Sequence, residues 1–182
     1  MVAIHTDRLT LRDWRDADLA PWAAMNADSD VREHLGPLLT TDQALASLQN
    51  FQHDLDSNGF GFWAVEVRDS GEFIGFAGLD RVDDGLPFTG VEAGWRLARS
   101  AWGHGYATES AIAVLAYGFT TVDLAEILAI TTATNLRSQA VMQRIGMTTD
   151  PADDFDDPDV EDGPLRRQVV YRKLRSPQQP HD

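Results

Sequence analysis

Two glycines near the middle of the chain have the spacing of an anion-binding turn. Gly103 and Gly105 follow a short apolar stretch, residues 91–98, that is typical of a β-strand, and they precede a helical pattern that begins at Ala107. The first turn of a helix has unpaired backbone N–H groups and the positive end of the helix dipole. Because glycine has no side chain to block these N–H groups, a phosphate or pyrophosphate could bind there, although a tight turn without a ligand has the same pattern.

The spacing excludes two common phosphate motifs and resembles a third. No Lys-Ser or Lys-Thr pair follows Gly105, so the P-loop is absent, and the third glycine of the dinucleotide fingerprint is missing as well. Instead, Arg99 and the run 102–107, Trp-Gly-His-Gly-Tyr-Ala, resemble the pyrophosphate loop of the GNAT superfamily of acyl-CoA-dependent N-acyltransferases. The later stretch 135–147 resembles the coenzyme A helix of the same superfamily.

The resemblance extends over nearly the whole chain. The stretches 6–12, 61–65 and 167–174 resemble the branch that contains the ribosomal-protein N-terminal acetyltransferases. The resemblance implies an α/β (α+β) GNAT fold, with a mixed, mostly antiparallel central sheet of about six to seven strands flanked by about four helices. We expect a single domain over residues 1–175 and a disordered C-terminal tail over residues 176–182.

The resemblance also implies acetyl-CoA as the acyl donor and a set of residues that contact it. These cofactor-binding residues are Trp95, Arg96, Leu97, Arg99, Trp102, Gly103, His104, Gly105, Tyr106, Ala107, Thr108, Asn135, Arg137 and Ser138. Backbone N–H groups of residues 95–97 could bind the thioester oxygen and the pantetheine amides. Arg99 and Arg137 could meet phosphates or remain solvated charges, and Asn135 could both cap its helix and contact coenzyme A. We take His104 as a backbone position in the loop and not as a proton shuttle.

The chain contains no cysteine, so direct attack of an amine on the bound thioester is the simplest route for acyl transfer. This route needs an acceptor for the amine proton and a donor for the departing thiolate. Proteins of the resembling family often carry an acid on the central strand. Here that acid is Glu92, and a merely paired or solvated glutamate is the alternative. Ser138 matches the serine that the N-terminal acetyltransferase branch offers to the thiolate, although it could instead help to cap its own helix.

One position departs from the superfamily pattern. Many GNAT enzymes place a tyrosine one turn beyond the position of Ser138 to protonate the thiolate, and Met142 at that position cannot donate a proton. Tyr171, in the last predicted strand, is a weaker candidate near the thiol. Met142 favours a catalytically weak acyl-CoA sensor or interaction module, whereas Glu92 together with Ser138 favours an enzyme.

Acidic residues outnumber basic residues by 29 to 15, which gives a formal net charge of −14 at pH 7. Such a field repels nucleic acid and anionic membranes and favours a cationic partner, such as an amine or a basic protein, although solubility alone would also explain it. Many of the acids crowd one loop, residues 150–162. The chain has no long apolar run and no signal peptide, so we expect a cytoplasmic protein without a membrane span. The histidines lack metal-ligand spacing, and no metal is expected.

Local signals give the elements around this centre. Thr40 and Gln43 form a capping box for a helix that ends at Gly59, and residues 19–23 belong to an earlier short helix. In GNAT proteins these two helices commonly border the acceptor pocket. Asn135 is expected to cap the later coenzyme A helix.

Strand signals lie on both sides of the central turn. The apolar runs 60–68 and 72–81 are joined by Asp-Ser-Gly and predict a hairpin. Gly94 interrupts the central strand, where a bulge could lie. The run 126–133 is continuously apolar, as expected for a strand buried on both faces, and residues 167–174 close the sheet.

These features predict an acetyl-CoA-dependent N-acetyltransferase that uses a ternary complex. The branch resemblance favours a protein or peptide N-terminal amine as the acceptor, with a small-molecule amine or drug as the close alternative. A catalytically weak acyl-CoA-binding module remains the alternative from another class. Either a monomer or a homodimer is compatible with the sequence.

Overall fold

The computed structural model describes residues 3–176, so the predicted tail lies outside the described residues apart from Ser176. Nine strands occur in this range: β1 (Ile4–His5), β2 (Leu9–Arg12), β3 (Phe62–Val67), β4 (Phe73–Arg81), β5 (Val91–Leu97), β6 (Glu126–Thr132), β7 (Thr148–Thr149), β8 (Phe155–Asp156) and β9 (Arg167–Leu174). The α-helices of this range are α1 (Leu19–Asn26), α2 (Ser29–Arg32), α3 (Thr41–Asn58), α4 (Tyr106–Thr120) and α5 (Leu136–Arg144).

The strands form one mixed sheet in the order β1-β2-β3-β4-β5-β6-β9-β7, and β8 also pairs with β9. Every described pairing is antiparallel except that of β5 with β6. The predicted fold class is therefore confirmed. The sheet has more strands than expected because β1 and β8 contain two residues each, too few to produce an alternating pattern in the sequence, whereas β7 lies where a strand could begin at residues 147–149.

The predicted bulge at Gly94 is wrong. The register of β4 with β5 is continuous from Arg81 opposite Val91 to Gly75 opposite Leu97, and the irregularity lies instead in β3, between Val65 and Glu66. Glycine is needed at position 94 for a different reason, since a Cβ there would lie 2.9 Å from Cε1 of Phe62. The glycine thus marks close packing on the sheet and not a break in it.

Two layers of helices cover the two faces of the sheet. On one face, Trp22 of α1 and Phe51 of α3 pack against Phe76, with ring centroids 5.7 and 5.4 Å away. On the other face, Ala111 and Val114 of α4 are buried in the core. The central strand β5 is therefore enclosed between α1 and α3 on one side and α4 on the other.

Several local predictions are confirmed. Thr40 and Gln43 form the capping box of α3, which ends at Gly59 with a left-handed backbone (φ 73°). The hairpin joins β3 to β4, and the side chain of Asn135 accepts a hydrogen bond from the N–H of Ser138 at the start of α5. In the described part of the chain, none of the helices combines the length and apolar character needed to cross a membrane.

Candidate active site

The central strands β5 and β6 separate at their C-terminal ends and leave an unpaired backbone edge. They pair at Glu92 opposite Leu128, and both continue beyond this point. The N–H of Ala98 donates to the Ile74 carbonyl on β4 (2.8 Å). Because successive N–H groups of a strand alternate in direction, those of Trp95 and Leu97 point away from β4, toward the gap beside β6.

A cavity of about 1120 Å³ lies beside this edge and extends to the starts of α4 and α5. All the predicted cofactor-binding residues line it except Arg99 and His104. Glu92 does not line the cavity and lies at the point where β5 pairs with β6. The structure thus brings together the turn before α4, the edge of β5 and the start of α5, which are separated in the sequence.

The turn before α4 presents a run of free backbone donors. Gly103 and Gly105 have left-handed backbones (φ 80° and 81°), and no side chain caps the helix. Among the described residues, the N–H groups from Gly103 to Thr108 have no hydrogen-bond partner. A Cβ on Gly103 would meet nothing within 4 Å, so the approach is open. This geometry fits a pyrophosphate, whose oxygens would accept from these donors.

Arg8, near the N-terminus of the chain, holds this turn in place. Its Nε donates to Oε2 of Glu109 (2.7 Å) and its Nη1 donates to the His104 carbonyl (2.9 Å). Thr6 also donates to Glu109 (2.6 Å). Burial acts to raise the pKa of Glu109, but the hydrogen bonds from Thr6 and Arg8 and the charge of Arg8 outweigh it and lower the pKa. Sequence reasoning missed this clamp because its members are about a hundred residues apart.

The two predicted phosphate-binding arginines already have acidic partners in α2 and its flank. Arg99 pairs with Asp30 (3.1 Å) and Arg137 pairs with Glu33 (2.8 Å). Their guanidinium carbons lie 4.8 and 4.3 Å from the ring centroid of Trp102, which links them across the cavity. The indole N–H of Trp102 donates to the Leu97 carbonyl (2.9 Å). Charges that are exposed and paired in this way can exchange partners at low cost.

Arg144 is a further cation of this site that the sequence analysis did not identify. It lines the cavity and has no hydrogen-bond or ion-pair partner within residues 3–176. It follows Arg137 by seven residues on α5, so the two side chains share a helix face. That spacing could have identified Arg144 from the sequence as a candidate partner of a phosphate.

Ser138 faces the cavity with a free hydroxyl. The helix is capped by Asn135, whose Oδ1 accepts from the Ser138 N–H (3.1 Å) and whose Nδ2 donates to Thr131 Oγ1 (3.0 Å). The Ser138 hydroxyl itself has no partner among the described residues. It is therefore free to donate to a group bound in the cavity.

The other two positions considered for the thiolate lie elsewhere. Met142 is 2% exposed and belongs to the hydrophobic core. Tyr171 is also buried, and its hydroxyl accepts from Nε2 of Gln143 (3.2 Å). Neither residue lines the cavity, so Ser138 is the hydroxyl of these candidates that reaches it.

Glu92 is half-buried on β5, opposite Asp80 of β4. Burial, and then the negative charges of Asp80 and Asp83, raise the pKa of Glu92 to about 7, while the backbone N–H of Ile130 acts in the opposite direction. A carboxyl with this pKa can exchange a proton near neutral pH, as a general base must. The side chain of His104 does not line the cavity and stacks on Tyr106, with ring centroids 5.5 Å apart.

Arg96 projects from the same face of β5 as Glu92. Its Nη1 donates to Oδ1 of Asn26 (2.7 Å), and burial, followed by the charge of Arg32, lowers its pKa to about 9.

Within the described range, no group of three His or acidic side chains has the arrangement of a metal site.

Comparison with known proteins gives a family for this geometry. The profile of the family described as "Acetyltransferase (GNAT) domain" matches residues 8–148. The chain is 32% identical over 145 residues to the uncharacterized protein YkkB of Bacillus subtilis (strain 168), covering 78% of this chain and 83% of that protein. It superposes on the crystal structure of the acetyltransferase from Agrobacterium tumefaciens str. C58 with a TM-score of 0.78 and 26% identity, covering 96% of this chain and 95% of the other.

The fold is also that of the ribosomal L7/L12 α-N-protein acetyltransferase RimL, whose structure was determined in complex with coenzyme A. The TM-score is 0.76 at 13% identity, over 95% of this chain and 98% of RimL. At this identity the likeness concerns the fold.

Proposed function

Since the chain belongs to the GNAT family of acetyltransferases, we propose that it transfers the acetyl group of acetyl-CoA to the α-amine of a peptide or protein N-terminus. The observation that carries the donor part of this proposal is the run of unpaired N–H groups from Gly103 to Thr108 at the uncapped start of α4. This run opens onto the cavity that follows the free edge of β5. A nucleotide with a pyrophosphate and a long arm fits such a site.

Each part of the site has a role in binding the donor. The N–H groups before α4 bind the pyrophosphate, and Arg8, Arg137 and Arg144 are cations that line the same cavity. The N–H groups of Trp95 and Leu97 bind the amides of the arm in the manner of a neighbouring strand. Acetyl-CoA supplies an activated thioester whose carbonyl carbon accepts an amine. The protein positions this carbonyl beside the N–H donors of β5, which stabilise the charge that develops on its oxygen.

Glu92 removes the proton of the acceptor amine, directly or through water. Its pKa of about 7 suits a free α-amine, whose pKa is about 7.7–8.0, far better than a lysine with a pKa of about 10.4. The raised pKa of Glu92 therefore supports an N-terminal amine over a lysine side chain as the acceptor. No covalent enzyme intermediate is needed because the amine attacks the thioester directly.

Ser138 stabilises the departing thiolate by donating its hydroxyl proton in a hydrogen bond. We expect Ser138→Ala to lower kcat by about tenfold to a hundredfold, the effect of losing one hydrogen bond to a charged group, with little change in the KM for acetyl-CoA. Ser138→Thr keeps the hydroxyl and is the matched control. Steady-state release of the free thiol measures both variants, and an alanine variant with wild-type kcat would exclude Ser138 as the donor.

The proposed function is tested with acetyl-CoA and a panel of peptides with free N-termini. Thiol release measures turnover, and mass spectrometry of the product locates the acetyl group, which we expect on the N-terminal amine. Turnover of small amines but of none of the peptides would contradict the N-terminal acceptor and favour the small-molecule alternative. Binding of acetyl-CoA without turnover of any amine would instead identify an acyl-CoA-binding module.

A further inference from the structure

Arg96 is a half-buried cation whose contacts are neutral groups. Its guanidinium carbon lies 5.3 Å from the ring centroids of both Trp22 and Phe76. Its Nη1 donates to Oδ1 of Asn26, and its Nε is buried without a partner in the described part of the chain. No carboxylate lies among these contacts.

Asn26 fixes the guanidinium in this position. Asn26 is fully buried, and its Nδ2 donates to the Trp22 carbonyl (2.9 Å), so its Oδ1 remains to accept from Arg96 (2.7 Å). The two aromatic rings restrict the side chain further. The cation is therefore held in one orientation before any ligand binds, which lowers the entropic cost of binding one.

Arg96 lacks a counter-charge although it is enclosed by other side chains. The chain carries 29 acidic residues, and the neighbouring Arg99 and Arg137 both have acidic partners, whereas Arg144, which also has none in the described range, is exposed to solvent. The charged group that acts on Arg96 is instead a second cation, Arg32, whose guanidinium donates to the carbonyls of Leu35 and Pro37. Partial burial of a cation without a counter-ion destabilises the protein, and an anionic ligand would reduce that cost.

The position of Arg96 separates it from the part of the cavity that suits phosphates. The free N–H groups begin at Gly103, and Arg137 and Arg144 lie on α5. Arg96 lies on β5 beside Leu97, at the level of the uncharged arm of the donor, and its side chain points to α1. Since residues 92, 94 and 96 of a strand share one face, Arg96 also shares a face with Glu92. An anion at Arg96 would therefore belong to the acceptor.

We propose that the acceptor carries a carboxylate close to its amine, on the residue or small molecule that bears the amine, and that Arg96 binds this carboxylate. This inference rests on the proposed function and assigns Arg96 to acceptor specificity. A guanidinium suits this role because it donates two parallel hydrogen bonds to a carboxylate. The strongly negative protein does not favour an anionic acceptor elsewhere on its surface, so the selection depends on Arg96.

The test compares peptides that differ only in the charge of their first residue. Two C-terminally amidated peptides of neutral sequence begin with aspartate or with asparagine. We expect the wild type to prefer the aspartyl peptide by about tenfold to a hundredfold in kcat/KM, and Arg96→Gln to lose this preference. The KM for acetyl-CoA should be unchanged. Arg96→Lys, which keeps the charge without the paired donors, should retain part of the preference.

Arg15→Gln is the matched control. It removes the same charge from an exposed arginine that pairs with Glu66, and the preference should stay at the wild-type value. Equal kcat/KM for both peptides in the wild type would overturn the inference while leaving the proposed function intact. Weaker acetyl-CoA binding by Arg96→Gln in calorimetry would also overturn it, because Arg96 would then belong to the donor site.

A second arm covers small acceptors. If no peptide is acetylated, the proposed function fails, and β-alanine is compared with β-alaninamide in the wild type and in Arg96→Gln. A ratio of rates that favours the carboxylate in the wild type and falls in the variant supports the role of Arg96 with a small acceptor. An unchanged ratio overturns it. The wild-type preference needs no variant, so poor folding of Arg96→Gln does not prevent the test.

Discussion

Replacing Gly105 with glutamate should abolish acetyl-CoA binding in a calorimetric titration in which the wild type binds in the micromolar range. The new carboxylate would lie beside the unpaired N–H groups from Gly103 to Thr108, where it would compete with the pyrophosphate and repel it. The backbone at Gly105 is left-handed (φ 81°), which costs a residue with a side chain about 1–2 kcal/mol. A Cβ there would also lie 3.5 Å from Nη2 of Arg8, within the clamp that holds the turn.

Gly59→Glu is the matched control for this variant. Gly59 is also left-handed (φ 73°), a Cβ on it meets nothing within 4 Å, and its carbonyl accepts from Tyr117 near the opposite end of α4. The control therefore introduces the same charge and similar backbone strain far from the turn, and it should bind acetyl-CoA as the wild type does. Equal binding of acetyl-CoA by the wild type and Gly105→Glu would show that the pyrophosphate does not bind at the start of α4. A wild type that does not bind would favour a module that has kept the fold and lost the donor.

The parts of this site that the sequence predicts are those with local causes. The two glycines before α4 have left-handed backbones that other residues adopt at a cost, and Asn135 caps α5 through a partner three residues away. The capping box of Thr40 and Gln43 is equally local. In each case the interacting groups are close in sequence, so a short pattern contains the whole interaction.

The parts that the sequence analysis missed depend on contacts between distant segments. Helix α2 (Ser29–Arg32) has four residues, too few for a helical period to be recognised, yet its region supplies the acids that pair with Arg99 and Arg137. The clamp of Arg8 on Glu109 likewise joins the first turn of α4 to the start of β2. Such pairs follow from the topology of the sheet, which brings the N-terminal strands beside the central turn.

Arg96 illustrates a third case, in which the sequence identified a residue of the site but not the side chains that surround it. Its place in the central strand assigned it to the cofactor set, and the structure adds that its side chain is enclosed by Trp22, Asn26 and Phe76. Strand periodicity gives the face on which a side chain lies, whereas two of the partners on that face, Trp22 and Asn26, come from a helix about seventy residues earlier. The absence of a counter-ion therefore could not be read from the sequence.

The second large effect is expected for Glu92→Gln, which should lower kcat/KM by about a hundredfold to ten-thousandfold, the contribution of a general base. Glutamine keeps the size and the hydrogen-bonding capacity of the side chain but cannot accept the amine proton. The titration of acetyl-CoA should be unaffected, since Glu92 does not line the donor cavity. A loss of activity without a loss of donor binding would therefore assign Glu92 to the acceptor step.

The pH dependence separates a base from a structural carboxyl. The base acts in its ionised form, and burial raises the pKa of Glu92 to about 7, so wild-type kcat/KM should rise as the pH increases through about 7. The acceptor must also be neutral, and an α-amine adds its own rise near pH 8 in both enzymes. In Glu92→Gln only the increase of kcat/KM caused by the amine should remain, and the difference between the two pH profiles gives the contribution of Glu92.

Asp80→Asn provides a control on the same sheet, in which the acid limb of the pH profile should shift and not disappear. Asp80 lies opposite Glu92, and its negative charge contributes to the raised pKa of Glu92, after burial. Removing this charge should move the acid limb of the profile to lower pH while the rate on the plateau stays close to the wild-type value. The limb should remain above the ordinary pKa of a glutamate because burial is the larger cause. Two results would show that the base is another group: a loss of activity in Asp80→Asn as large as that in Glu92→Gln, or an acid limb near pH 7 that persists in Glu92→Gln. In either case, the match between the pKa of Glu92 and that of an N-terminal amine would no longer support the proposed acceptor.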